Sequence, residues 1–267
     1  MKILRTREKV YENLKQNKNL SFVPTMGSLH NGHISLIQKA KKRKGNVIVS
    51  IFVNPKQFNS KKDFDKYPRN LKKDIRLLKR LKIDYLFIPT YNQIFSFKTK
   101  NKIFLHNFSK KLCGKYRPGH FLGVLDVVNR FIEIIKPKYL FLGRKDFQQL
   151  FLISEHIKKN NINTKIVSCK TIREKNGIAI SSRNLFLAKN EKKILLKSID
   201  FLKKNKKKIN GKNIRLFTKK LKFFGIEKIE YLKIVDLNSV KLKANIKKNC
   251  NIFIAFYLNK IRLIDNF

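Results

Sequence analysis

Strand-length apolar runs alternate with helical stretches over the first two thirds of this chain, and that rhythm restricts the available folds more than any other feature. Residues 20–25 form an apolar run closed by Met26 and Gly27, and residues 34–44 follow as a helix with Ile34 and Ile37 apolar. Residues 46–53 read as a buried strand, 71–81 as an amphipathic helix with Leu71, Ile75, Leu78 and Leu81 in register, and 85–88 as another strand. Residues 123–135 and 147–159 read as helices, and 139–142 and 165–169 as strands. This alternation predicts an α/β domain: an open parallel sheet with helices on both faces and ligands at the carboxyl ends of its strands. After about Thr171 the rhythm changes to a polar loop, a Lys-rich helix over 191–208, and strands over 229–235 and 251–258. The expected organisation is a sheet domain over residues 1–171 followed by a smaller α+β domain over 172–267.

Composition excludes several classes. With 42% hydrophobic residues and 22 Phe in 267 residues the chain can build a core, so disorder is not expected in spite of a net charge of +46. No apolar run is long enough to span a membrane, and the charged first 19 residues lack the apolar segment of a secretory signal, so a cytoplasmic protein is expected. Cys113, Cys169 and Cys250 are odd in number and far apart, which disfavours a disulfide framework or a thiolate zinc site. The basic excess would suit nucleic acid. However, residues 1–183 hold 41 basic and 11 acidic side chains and the remainder 22 and 6, so the charge is spread evenly instead of focused in a groove. Lys outnumbers Arg 50 to 13, as drift toward A/T-rich codons would produce. Nucleic acid is therefore disfavoured as the primary partner.

The motifs that carry chemistry stand at the predicted strand ends. His30-x-Gly32-His33 falls where a strand turns into a helix, which places both imidazoles beside free N–H groups and the positive end of the helix dipole. That arrangement suits phosphate, with Gly32 leaving room for a nucleotide. Gly143-Arg144-Lys145-Asp146 follows another strand, where a Lys would meet phosphates, with Gln148 and Gln149 beyond it. Ser181-Ser182-Arg183-Asn184 offers hydroxyls and a guanidinium to a triphosphate. Asn54-Pro55-Lys56-Gln57-Phe58 supplies amides able to orient a hydroxy acid, and Arg117-Pro118-Gly119-His120 is a further rigid turn. His106 and His156 lie outside every motif and are expected to be structural.

Taken together, residues 24–33, 50–55, Tyr67-Pro68-Arg69, 112–121, 143–149 and 181–184 resemble, in family order, the pantothenate synthetase (pantoate–β-alanine ligase) family of the HxGH nucleotidyltransferase superfamily. The resemblance covers residues from about 20 to 190. It implies a Rossmann-like parallel sheet with a smaller C-terminal lid domain, and a two-step ligation. Pantoate carboxylate would attack the α-phosphate of ATP to give pantoyl adenylate and pyrophosphate, and the β-alanine amine would then expel AMP. It further implies an ATP site at Met26, Gly27, Ser28, Leu29, His30, Asn31, Gly32 and His33, at Gly143, Arg144, Lys145 and Asp146, and at Ile172, Ile180, Ser181, Ser182 and Arg183. His33, His30, Lys145 and Arg183 would stabilise charge in the first step, Gln57 and Gln149 would hold pantoate, and Gln57 would also face β-alanine. Mg²⁺ should bridge the ATP phosphates, with Asp74 as a candidate contact, and a homodimer is expected. Asn176 and Asp126 depart from the family's common Asp and Thr. The competing reading is a basic RNA-binding protein on a nucleotidyltransferase fold, but no RNA-stacking signature appears. A nucleotidyltransferase that makes a dinucleotide cofactor would leave Gln57 and Gln149 unexplained.

Overall fold

Six short parallel strands make the sheet of the first unit, in the order β1-β4-β3-β2-β5-β6. The computed structural model describes Met1 to Phe267, which fall into two units, Met1–Lys170 and Thr171–Phe267. The first runs β1 (Lys2–Leu4), α1 (Arg7–Leu14), β2 (Ser21–Thr25), α2 (Asn31–Lys41), β3 (Val47–Ile51), α3 (Lys61–Lys66), α4 (Leu71–Arg80), β4 (Tyr85–Phe87) and α5 (Tyr91–Phe95). It continues through α6 (Cys113–Tyr116), α7 (His120–Ile135), β5 (Tyr139–Gly143), α8 (Phe147–Lys159) and β6 (Lys165–Cys169).

The central strands β2, β3 and β5 are buried at most positions because both faces are covered, as a parallel sheet requires. On one face Val23, Val49, Ile51 and Phe141 form a cluster with Ile37 and Ala40 of α2 and Leu78 of α4. On the other, Phe22, Phe52 and Phe87 surround Phe131 of α7 with ring centroids 5.5, 6.2 and 6.0 Å away. The chain lays β3 and then β4 to one side of β2 and returns to place β5 on the other. The sheet therefore changes direction between the carboxyl ends of β2 and β5, where such sheets open a crevice.

Pro24 widens that crevice. The Leu20 carbonyl accepts the Tyr139 N–H, so even-numbered residues of β2 face β5, and Pro24 has no N–H to offer on that side. Pairing between β2 and β5 accordingly stops at Phe22 and Leu140, whereas β2 pairs with β3 as far as Thr25.

The second unit holds α9 (Lys189–Lys204), α10 (Ile214–Phe223), β7 (Lys228–Asp236), β8 (Leu242–Lys243), β9 (Cys250–Leu258) and β10 (Ile261–Asn266). Its strands form an antiparallel sheet ordered β10-β9-β7-β8, with Ile252, Ile254 and Phe256 packed in one core with Leu195, Ile199 and Leu202 of α9 and Leu221 of α10. The helix expected over 191–208 ends at Lys204, and Lys206–Lys208 makes a separate 3₁₀ turn.

Candidate active site

At the end of β2 the backbone enters the left-handed region twice, at Gly27 (φ 78°) and Ser28 (φ 50°), before His30 (φ −140°) opens α2. His30 is the N-cap: its Nδ1 accepts the Gly32 N–H at 3.1 Å, and Nδ1 of His33 accepts the His30 N–H at 3.3 Å. This is a reciprocal capping box built from two imidazoles. A ring nitrogen that accepts carries no proton, so both rings take the neutral tautomer with hydrogen on Nε2. Their centroids are 4.0 Å apart, with the planes 31° from parallel. Burial and the positive charge of Lys145 push the His30 imidazole down to about 4. Burial, His30 and Lys145 push His33 down to about 3. At neutral pH the pair thus presents uncharged Nε2–H donors, and the cation beside it is Lys145.

Gly32 also has a local task. A Cβ there would stand 2.8 Å from Cε1 and 2.9 Å from Nδ1 of His30, so the glycine makes room for the capping imidazole. Asp74, the candidate magnesium contact, is buried, and both of its oxygens take backbone amides: Oδ2 accepts from Ser28 and Oδ1 from Leu29, each at 2.8 Å. No group of three or more His, Cys, Asp or Glu side chains is arranged to hold a metal ion. The residues present do not make a protein-held metal site.

Across the crevice, Gly143 ends β5, and Arg144–Asp146 form a 3₁₀ turn leading into α8. Arg144 Nε donates to Ser168 Oγ at 2.9 Å, which ties it to β6. Lys145 is mostly buried and lies 3.6 Å from Asp146 Oδ1. Gln148 is consumed by structure: its Oε1 accepts the Cys113 N–H, and its Nε2 donates to the Phe108 and Lys111 carbonyls. Gln149 remains partly exposed in the first turn of α8.

Gln57 belongs to the same unit and closes a 3₁₀ turn capped by Asn54. Its Nε2 lies 2.9 Å from the Met26 sulfur, which brings it to the end of β2. Its carbonyl accepts from Arg117 at 3.2 Å and contacts His120 Nδ1 at 2.8 Å, so the Arg117–His120 turn fixes the backbone behind Gln57. Tyr67-Pro68-Arg69 follows α3: Tyr67 is its C-cap, and Arg69 donates to the Phe64, Asp65 and Tyr67 carbonyls. Asp126 pairs with Arg130 at 2.6 Å and with Lys56 at 3.4 Å, so this departure is a local ion-pair solution.

In the second unit, Ile172 and Ile180 are joined by a backbone hydrogen bond, and Arg173 bridges to Ala179. Arg173 is bidentate on the buried Asp265 carboxylate at 2.7 and 2.9 Å, and Lys203 donates to the Gly177 carbonyl at 2.7 Å. Asn176 Oδ1 accepts the Ile178 N–H, the same turn bond an Asp would make. Ser181 Oγ caps the 3₁₀ turn Ser182–Phe186 through the Arg183 N–H, and the Arg183 guanidinium donates to the Arg262 carbonyl at 3.3 Å. His106 caps a 3₁₀ turn, and His156 is wholly buried between Phe104 N–H and Asn129, both structural placements. The bonds of Asp74 to the Ser28 and Leu29 amides and the backing of Gln57 by His120 were not legible, because their partners lie 45 or more residues away in sequence.

The sequence profile described as pantoate-beta-alanine ligase matches residues 2–267. A pantothenate synthetase of Sulfurihydrogenibium sp. is 38% identical over 261 residues, spanning 94% of this chain and 92% of that protein. One from Francisella tularensis subsp. tularensis is 43% identical over 258 residues, spanning 95% and 90%. Among solved structures, a pantoate-beta-alanine ligase from Francisella tularensis complexed with beta-gamma ATP and beta-alanine superposes with a TM-score of 0.86 at 39% identity, covering 100% of this chain and 97% of that one. The pantothenate synthetase of Thermus thermophilus gives 0.91 at 28% identity, covering 100% and 99%. The RNA-binding alternative finds no support among these relatives.

Proposed function

Because the chain belongs to the pantoate–β-alanine ligase family, we infer that it condenses pantoate with β-alanine through a pantoyl adenylate, converting ATP to AMP and pyrophosphate. The observation that carries this reading is the imidazole pair at the start of α2, with both Nδ1 atoms held by backbone amides. Adenylation needs donors where negative charge gathers on the phosphates, and preorganised N–H groups stabilise such charge without rearranging. His30 and His33 supply two neutral donors, and Lys145 supplies the cation. In the first step a pantoate carboxylate oxygen bonds to the α-phosphorus and the bond to the β-phosphate bridging oxygen breaks. In the second, the amine of β-alanine attacks the acyl carbon, AMP leaves, and the amine gives up a proton.

The nucleotide site includes Met26, Gly27, Ser28, Leu29, Asn31, Gly32, Gly143, Arg144 and Asp146 in the first unit. In the second unit Ile172, Ile180, Ser181, Ser182 and Arg183 take part, with Arg183 assisting the phosphates and the unit serving as a lid. Gln57 and Gln149 orient pantoate, and Gln57 also meets β-alanine; its place against Met26 supports this. Mg²⁺ enters with ATP as part of the substrate, since Asp74 is engaged elsewhere. We further propose a cytoplasmic homodimer; no helix is long and apolar enough to cross a membrane.

The test is AMP release from ATP and Mg²⁺ by purified protein. AMP should accumulate only when pantoate and β-alanine are both present, and His33→Ala should lower the rate by about 100-fold or more, the range for losing a preorganised donor. AMP formation that ignores either substrate would refute the assignment.

A further inference from the structure

The Gly27–Leu29 turn is an unusual piece of backbone for a reaction centre to stand on. Two successive residues have positive φ, and the second, Ser28 at 50°, is not glycine. A non-glycine residue holds that conformation only where its surroundings over-determine it. Here the Thr25 hydroxyl accepts the Gly27 N–H at 3.2 Å, and a single side chain takes the next two amides. Asp74 directs one carboxylate oxygen at the Ser28 N–H and the other at the Leu29 N–H, both at 2.8 Å. Gly27 fits the same geometry: a Cβ on it would stand 3.0 Å from Asp74 Oδ2 and 3.2 Å from Ile51 Cγ2.

The carboxylate is held from a rigid element. It belongs to the first turn of α4, where the helix dipole favours negative charge. Asn70 caps that helix through the Lys73 N–H, and Leu78 and Ile75 anchor it against the sheet. Only an acceptor-only, two-oxygen side chain satisfies two consecutive amides at once; an Asn would turn a donor toward one of them. The residue that follows the clamped amides is His30, whose cap bonds to Gly32 and His33 set both imidazoles.

We propose that Asp74 is a positioning residue of the ligase reaction: its carboxylate clamps the Gly27–Leu29 turn from α4 and thereby aims the Nε2–H donors of His30 and His33. The proposal rests on the ligase reading for its kinetic consequence and on the free protein alone for its structural one. Asp74 acts through the histidines and holds no metal.

The experiment compares wild type with Asp74→Asn and Asp74→Ala. In amide and imidazole nitrogen NMR of the free protein, the Ser28 and Leu29 amide resonances and the His30 and His33 Nδ1 resonances should shift in both variants, while amides of α8 and β6 stay in place. In turnover, kcat should fall about 100-fold with KM for pantoate and β-alanine within about threefold of wild type. The Mg²⁺ concentration giving half-maximal rate should not change, and raised Mg²⁺ should not restore activity. Unmoved histidine resonances would overturn the proposal, as would recovery at high Mg²⁺, which would mark a metal ligand. Loss of the α8 and β6 resonances in Asp74→Ala would show wholesale unfolding and leave Asp74→Asn to decide. If wild type makes no AMP, the ligase reading fails, and the NMR shifts still judge the clamp.

Discussion

Each imidazole of the HxGH pair spends its Nδ1 on the protein's own backbone, which leaves the hydrogen on Nε2. The consequence is a definite pH behaviour. kcat/KM reports ionisations of the free enzyme, and there the two rings are pushed down to about 4 and about 3. The ratio should therefore be independent of histidine protonation from pH 8 to about 5.5 and decline only as pH approaches about 4. An acid limb centred near the ordinary histidine value, about 6.5, would show a ring titrating freely and contradict the tautomer assignment. Stability follows the same sign. The folded values lie below the unfolded one, so the unfolded chain binds more protons between them, and the histidine contribution, complete above about 6.5, is lost as pH falls toward about 4. Equilibrium urea unfolding at pH 7, 5.5 and 4.5 reads this directly. Gly32→Ala offers a steric counterpart. Its Cβ would fall 2.8 Å from the His30 ring, so activity should drop by about 100-fold, as for a misplaced catalytic group, with thermal stability nearly kept; an active Gly32→Ala enzyme would mean that the cap is dispensable. The identity and spacing of these histidines were legible in the sequence because strand, turn and helix start are local. Their tautomers were not, because each is decided by which amide reaches which nitrogen.

At the scale of elements, legibility tracked apolar periodicity. The runs leading to β2, β3, β5 and β6 and the amphipathic pattern of α4 are continuous enough to read unaided. β1 is only three residues long and α1 carries four charges in eight residues, so neither signals its state locally; β1 pairs with β4, distant in sequence, and β10, which has no clear pattern of its own, pairs antiparallel with β9. α10 hides in a basic segment with only Leu221 fully buried, so its pattern is thin. Arg173 and Asp265 join the 172–180 turn to β10 across 92 residues, a pairing no local signal announces. Breaking a buried ion pair leaves its partner without compensation, at a cost of about 3 kcal/mol or more. Asp265→Ala should lower unfolding free energy by that order in urea titration, and Asp265→Asn by less, since one acceptor for Arg173 survives. A change under about 0.5 kcal/mol, typical of a surface substitution, would mean that the turn is held by Lys203 and the Gly177 bonds instead.

At the scale of the whole molecule, the excess of 63 basic over 17 acidic residues acts on folding and on ligands through the same field. No acidic residue interrupts the chain between Asp200 and Glu227, and the first unit is basic as well, so the net field is strongly positive. Self-repulsion of this kind destabilises a folded state and is screened over about 10 Å at 0.1 M salt. Melting temperature should therefore rise when NaCl is raised from about 0.05 M to about 0.5 M, where the screening length falls below about 5 Å. The same salt should weaken ATP binding, because the nucleotide is an anion drawn by that field. It should weaken adventitious RNA binding far more, because each phosphate contact adds to the salt slope and RNA makes many such contacts where ATP makes few. Calorimetry across the salt series, with fluorescence titration of ATP and of a short RNA, separates the two. If melting temperature fell with salt, the surviving ion pairs such as Arg262–Glu230 would outweigh the repulsion. If ATP and RNA showed equally steep slopes, the basic field would be acting as an extended nucleic-acid surface, and the even spread of charge along the sequence would have concealed a patch.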